Sequence, residues 1–173
     1  MGNPGSTTVR AATEDDVAAV VDLIAAEAAE GRWIATELPV DHIQLRRRLL
    51  QLLQQTDARS FVAIVAERIV GELSISTRSS GLLEFGMIVA ADRRARGVGS
   101  ALLAACIAWG REIEAHKIML EVFPQNVAAR ALYRKFGFAE EGYFRRHVRR
   151  KNGELWDCIP MSLLLNEQSA NEA

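Results

Sequence analysis

Arg93, Arg94 and Arg96 stand immediately before Gly97-Val98-Gly99-Ser100, a combination able to hold a polyphosphate. Gly97 and Gly99 carry no β-carbon, so the main chain can approach a ligand closely, and the first-turn amides of a following helix have no partners of their own. Free N–H groups and the helix dipole favour an anion there. Arginines beside a positive helix end are unfavourable until a bound pyrophosphate reverses the sign. Arg94-x-x-Gly97-x-Gly99 is not a P-loop, which ends in Gly-Lys-Ser/Thr, nor a dinucleotide fingerprint, which carries a further glycine. Taken alone it is equally a strand-to-helix turn with a solvated basic rim.

Further along, Lys117-Ile118-Met119-Leu120-Glu121-Val122-Phe123 alternates, with Met119, Glu121 and Phe123 on one strand face. A carboxylate between two large apolar neighbours is unusual for a solvated face, and partial desolvation would suit it to proton abstraction. An ion pair with Arg or Lys is the alternative. In the following segment Asn126, Ala129 or Arg130, and Tyr133 share one face of a helix.

The two segments in order, Arg-x-x-Gly-x-Gly and then Asn-x-x-Ala-x-x-Leu-Tyr-x-x-x-Gly-Phe, resemble the GNAT superfamily of acyl-CoA-dependent N-acetyltransferases from about Thr8 to Leu165. The resemblance implies acetyl-CoA as co-substrate and no metal. It implies that the amides of Arg94, Ala95, Arg96, Gly97, Val98, Gly99 and Ser100 hold the pyrophosphate. By the same likeness the main chain of Ile88 and Val89 pairs with the pantetheine arm, and Asn126, Ala129 and Tyr133 line it. The oxyanion donor would be the Val89 N–H.

Acyl transfer to an amine needs a base to take the ammonium proton, a donor for the oxyanion and an acid for the departing thiolate. The resemblance makes Tyr133 the acid. It makes Glu121 the base, since ribosomal-protein N-terminal acetyltransferases carry Glu-Val-x-x-x-Asn at the same offset from the tyrosine. Glu84, in Leu82-Leu83-Glu84-Phe85-Gly86, is the rival carboxylate, with a cross-strand ion pair as its other reading. Trp33, Glu37, Trp156 and Asp157 are expected at the acceptor, as an aromatic wall and carboxylates for a cationic amine. The hairpin residues resemble both the amino-acid and the ribosomal-protein branches. A competing reading is an acyl-CoA sensor or structural subunit that keeps the seat without the chemistry.

These residues need a scaffold. Val9 to Ala11 reads as a strand, Thr13 to about Glu30 as a helix with Val17, Val20, Val21, Ile24 and Ala28 inward, and Asp41 to about Gln55 as a second helix. Strands at Phe61 to Ala66 and Ile69 to Ser76 form a hairpin around Glu67-Arg68, and Leu82 to Val89 follows. A helix from Gly97 to Ala115, a strand from Lys117 to Phe123 and a helix from Asn126 to Phe136 come next. Phe138 to Arg149 and Glu154 to Leu165 flank the Asn152-Gly153 turn. The order βααβββαβαββ predicts an α/β (α+β) fold with a mixed, mostly antiparallel sheet flanked by helices.

At 173 residues, 49% apolar and 25% charged, the chain suits a single domain, with its core at about 8–165 and flexible tails at 1–7 and 166–173. A net charge of −1 supplies no global field for nucleic acid or an anionic membrane. Arg145-Arg146-His147-Val148-Arg149-Arg150-Lys151 is a local basic run without interleaved aromatics, read as a solvated hairpin face, so nucleic acid is not expected as a partner. Met1 to Thr8 lacks an apolar core, and no membrane partner is expected, which places the protein in the cytoplasm. His42, His116 and His147 are scattered, and Cys106 sits in an apolar helix as packing. Relatives of this kind are often dimers, so a homodimer is expected beside the amine acceptor.

Overall fold

The computed structural model describes residues 6–165. They group into two compact units, one formed by the chain up to Ile75 with Gly86–Cys106, the other by Ser76–Phe85 with the chain from Ile107 onward.

In the first unit β1 (Thr8–Ala11) runs antiparallel to β2 (Ala58–Val65), from Thr8↔Ile64 to Ala11↔Phe61. A 3₁₀ turn, Glu14–Asp16, leads into α1 (Val17–Ala29). Asp16 organises that entry: its carboxylate accepts from Arg10 at 2.6 and 2.8 Å and from the Thr13 amide at 2.8 Å. The buried face of α1 is Val17, Val20, Val21, Leu23, Glu27 and Ala28, broader than the predicted stripe and carrying a carboxylate, while Ile24 is half-buried. Asp41 caps α2 (His42–Leu53) by accepting the Gln44 amide at 2.9 Å. β3 (Arg68–Ser79) follows β2 through Ala66-Glu67, one residue earlier than predicted. Both turn residues have positive φ, 48° and 63°, as a type I′ turn requires, and the strands' right-handed twist selects that turn.

Val62, Ala63, Val70, Leu73 and Ile75 are buried between the strands and α3 (Val98–Glu112), whose Val98, Leu102, Leu103 and Cys106 are buried in turn. Gly71 allows the close approach. A β-carbon there would lie 2.9 Å from Leu102 Cδ1, 3.0 Å from Val98 Cγ1 and 3.2 Å from the Ile88 carbonyl oxygen.

In the second unit β4 (Leu82–Val89) begins parallel to β5 (Lys117–Val122), and their ladder covers only Leu82↔Lys117, Leu83↔Ile118 and Glu84↔Met119. β8 (Leu155–Leu164) runs antiparallel along all of β5. After α4 (Val127–Lys135), the single strand expected over 138–149 is two, β6 (Ala139–Glu140) and β7 (Phe144–Arg149). Glu141 breaks it: its amide donates to the Pro160 carbonyl at 2.9 Å, and its carboxylate accepts from Lys117 at 2.7 Å and Ser162 at 2.6 Å. Leu83, Ile118, Leu120 and Met161 form the core, with Phe85 meeting Tyr133 and Phe138 edge-on at 5.8 and 5.9 Å. The sheet order is β1-β2-β3-β4-β5-β8-β6, with β7 paired to β8, a mixed and mostly antiparallel sheet as predicted.

Candidate active site

The turn before α3 is built from inside the first unit. β4 ends at Val89, a short 3₁₀ turn spans Ala91–Arg93, and the chain reverses through Ala95 (φ 57°) and Gly97 (φ 86°). Ala101 donates to Gly97 O at 3.0 Å, whereas among the described residues the amides from Arg94 to Ser100 have no backbone acceptor in hydrogen-bond geometry. A β-carbon on Gly97 would meet nothing within 4 Å, so the turn faces open space. Arg93 Nε is buried without a hydrogen-bond partner, and Arg96 is exposed. Unpaired amides with cationic neighbours fit a pyrophosphate.

Arg94 serves this turn differently from the expected contribution of free charge. Its guanidinium reaches back to α1, bonding Glu27 and, at 2.9 and 3.0 Å, Glu30, while its Nε donates to the Val89 carbonyl at 3.2 Å. Glu27 also accepts the Ala91 amide at 3.1 Å. Burial pushes the Glu27 carboxyl above the usual range against the pull of Arg94, whereas the Arg94 hydrogen bond holds Glu30 below it. The arginine side chain is therefore a brace between the turn and α1. A sign of this was present in the sequence: acids at 27 and 30 share a helix face near a C-terminus, where the dipole disfavours them, so they call for a cation.

In the second unit Asn126 caps α4, its side chain accepting the Ala129 amide at 3.2 Å. Tyr133 is buried on the same helix, its ring held by Phe85 and Phe138. The two carboxylates differ in setting. Glu84 pairs with Arg78 at 2.5 Å, the ion pair that was its alternative reading. The Glu121 side chain is 27% exposed, and its Oε2 lies 3.2 Å from His147 Nε2 on β7. β7 thus brings an imidazole to that face of β5.

The expected acceptor residues are occupied by the chain itself. Trp33 carries the Arg32 guanidinium 5.0 Å above its ring, and Trp156 carries that of Arg150 at 4.2 Å. Both carboxylate oxygens of Asp157 are engaged, by the Arg146 amide at 2.6 Å and the Tyr143 hydroxyl at 2.7 Å, and these bonds lower its pKa. Glu37 is half-buried and has partners of its own. A neighbouring arginine thus lies over each of these rings, and Arg146 and Tyr143 hold Asp157. Cys106 is packing as expected: burial pushes its thiol up to about 12.

Residues 26–138 match the Acetyltransferase (GNAT) family, and the chain belongs to that family and is an N-acetyltransferase. Over 132 residues it is 32% identical to the L-amino acid N-acetyltransferase AaaT of Escherichia coli K12, covering 72% of this chain and 76% of that one. Among solved structures it is similar to the ribosomal-protein-alanine N-acetyltransferase of Brucella melitensis, with TM-score 0.82 and 28% identity over 91% of this chain and 99% of that one. The fold is also that of a phosphinothricin acetyltransferase from Sinorhizobium meliloti solved with acetyl-CoA, with TM-score 0.83, 19% identity and coverage of 96% and 92%. Among the described residues no helix is long and apolar enough to cross a membrane.

Proposed function

We propose that this protein acetylates the α-amino group of free L-amino acids, with the amides of Arg94 to Ser100 holding the pyrophosphate of acetyl-CoA and the main chain of Ile88 and Val89 its pantetheine arm. The observation carrying this is the run of unpaired amides around Gly97. The ladder between β4 and β5 ends at Glu84↔Met119, which leaves main chain near the end of β4 for an added, strand-like partner. Identity of 32% to AaaT favours a free amino acid. The 28% identical Brucella structure favours a second acceptor, the N-terminal α-amine of a peptide.

Acetyl-CoA, when bound, supplies the thioester carbonyl and its leaving thiol. Glu121 takes the proton that the acceptor ammonium must lose before its lone pair can attack. Tyr133 holds a proton at Oη for the departing sulfur. The Val89 amide is the donor toward the oxyanion, and Asn126 and Ala129 line the arm from α4.

The test incubates the protein with acetyl-CoA and a panel of L-amino acids, N-terminal peptides, polyamines and aminoglycosides, following thiol release. Turnover on amino acids that falls by about 10²-fold or more in Tyr133→Phe and Glu121→Gln supports the reading. Tight binding of acetyl-CoA without turnover on any amine would establish the sensor instead. An inactive Glu84→Gln beside an active Glu121→Gln would move the base to β4.

A further inference from the structure

His147 belongs to no motif in the chain, yet it is placed with care. β7 and β8 pair at Phe144↔Cys158 and again at Val148↔Trp156, so Arg145, Arg146 and His147 lie opposite Asp157 alone. This bulge adds two residues to β7, so the side chains beyond it keep their face while those inside it are displaced from the regular alternation. Arg146 at its centre has φ 54°, a left-handed conformation costly for a residue with a β-carbon. Asp157 offsets that cost by accepting the Arg146 amide on one oxygen and the Tyr143 hydroxyl on the other. The product of the distortion is the placement of His147 Nε2 against Glu121 Oε2 on β5, with the imidazole tilted at 38° to the Phe144 ring, centroids 4.9 Å apart, and its side chain still 43% exposed. Strained backbone pinned by a committed carboxylate, and delivering an imidazole to a carboxylate, is how a preorganised proton site is built.

We propose that Glu121 and His147 act as one proton-accepting unit in acyl transfer, and that Asp157 is the positioning residue that keeps the unit assembled. This rests on the reading of Glu121 as the base. The proton that the acceptor ammonium loses before attack enters at the Glu121 carboxylate. It passes to Nε2 of His147, 3.2 Å from Oε2. The imidazolium beside the restored carboxylate gives up its Nδ1 proton to water, and solvent re-equilibrates the two tautomers. The N–C bond forms and the C–S bond breaks as Tyr133 supplies the sulfur with its proton, and the remaining proton shed by the acylated nitrogen restores the tyrosine hydroxyl. The charged and titratable groups around the imidazole are Glu121 from β5, Asp157 and the Cys158 thiol from β8, and Arg145, Arg146 and Arg149 from β7 itself. Cys158 is buried and pushed up to about 11, so its thiol stays protonated.

The deciding experiment measures kcat and KM for His147→Gln, Glu121→Gln, the double variant and Asp157→Ala, from about pH 5.5 to about pH 9.5. His147→Gln is expected to lower kcat about 10- to 100-fold, leave the KM for acetyl-CoA unchanged and remove one ionisation from the acid limb of kcat/KM. The double variant should be no slower than Glu121→Gln alone, since the pair acts as a unit. Asp157→Ala should lose part of the same kcat, and Tyr143→Phe, which removes one of the two bonds to Asp157, a smaller part. Wild-type kcat and an unchanged pH profile in His147→Gln, with Glu121→Gln inactive, would overturn the dyad while leaving Glu121 as base. Additive losses in the double variant, or lost kcat with an unaltered pH profile, would likewise overturn it by making His147 merely structural. A fully active Glu121→Gln would instead overturn the base assignment beneath it.

Discussion

Glu72 is buried on β3 with its Oε1 accepting from Ser60 at 2.8 Å and also from Ser74, and burial pushes its carboxyl up to about 7 against the pull of both hydroxyls. An acid whose folded pKa exceeds its unfolded value binds more protons when folded, so stability falls as pH rises from 4.5 through about 7 and stays low above it. Glu72→Gln is expected to flatten that dependence and to stabilise the fold at pH 8 by on the order of 3 kcal/mol, read from urea midpoints at pH 5 and pH 8. Asp16 works in the opposite sense. The Arg10 hydrogen bond holds it at about 2, so its contribution is present above the unfolded value of 3.8 and is lost as pH falls through about 2. Asp16→Asn should therefore destabilise at pH 7, and its urea midpoint should converge on that of the unsubstituted protein below about pH 2. Neither role was legible in the sequence, because Ser60 reaches Glu72 from β2, across a strand pairing, and Arg10 reaches Asp16 through a turn.

At the scale of elements, α4 begins on a side-chain cap, Asn126, which is also proposed to line the pantetheine arm. Asn126→Ala should cost about 1 kcal/mol of stability, seen as a lower urea midpoint, and should weaken acetyl-CoA binding as well. A substitution at Gly97 separates backbone from charge in the turn before α3. Gly97→Ala forces a β-carbon onto φ 86° and should cost about 1 kcal/mol together with acetyl-CoA affinity measured by calorimetry. Arg94→Lys tests the brace. A lysine cannot span Glu27, Glu30 and the Val89 carbonyl with one planar fork, so affinity should fall although the charge is kept. The turn could be read from the sequence because a strand end, two glycines and a helix start are local events. The β7 bulge could not, since its signature is a two-residue slip in pairing that only β8 reveals.

For the molecule as a whole, ligand linkage is the direct check on the family assignment. Acetyl-CoA at about 100 times its dissociation constant adds about 2.7 kcal/mol to the folded state, which should raise the melting temperature by several degrees in a domain of this size. Desulfo or free pantetheine, lacking the pyrophosphate, should raise it far less. The order of residues along the chain was enough to specify the element succession from β1 to α4, the glycine turn and the pairing of Asn126 with Tyr133 on one helix face. Each follows from periodicity, capping or the conformational demands of glycine acting within a few residues. The tertiary structure alone decided that Arg94 braces α1, that Trp33 and Trp156 carry the chain's own arginines, that Asp157 pins a bulge, and that Glu121 meets His147. Those partnerships join residues distant in sequence. A charged side chain is satisfied by whichever opposite charge or aromatic face packing brings within a few ångströms, so local pattern can name the group without naming its partner.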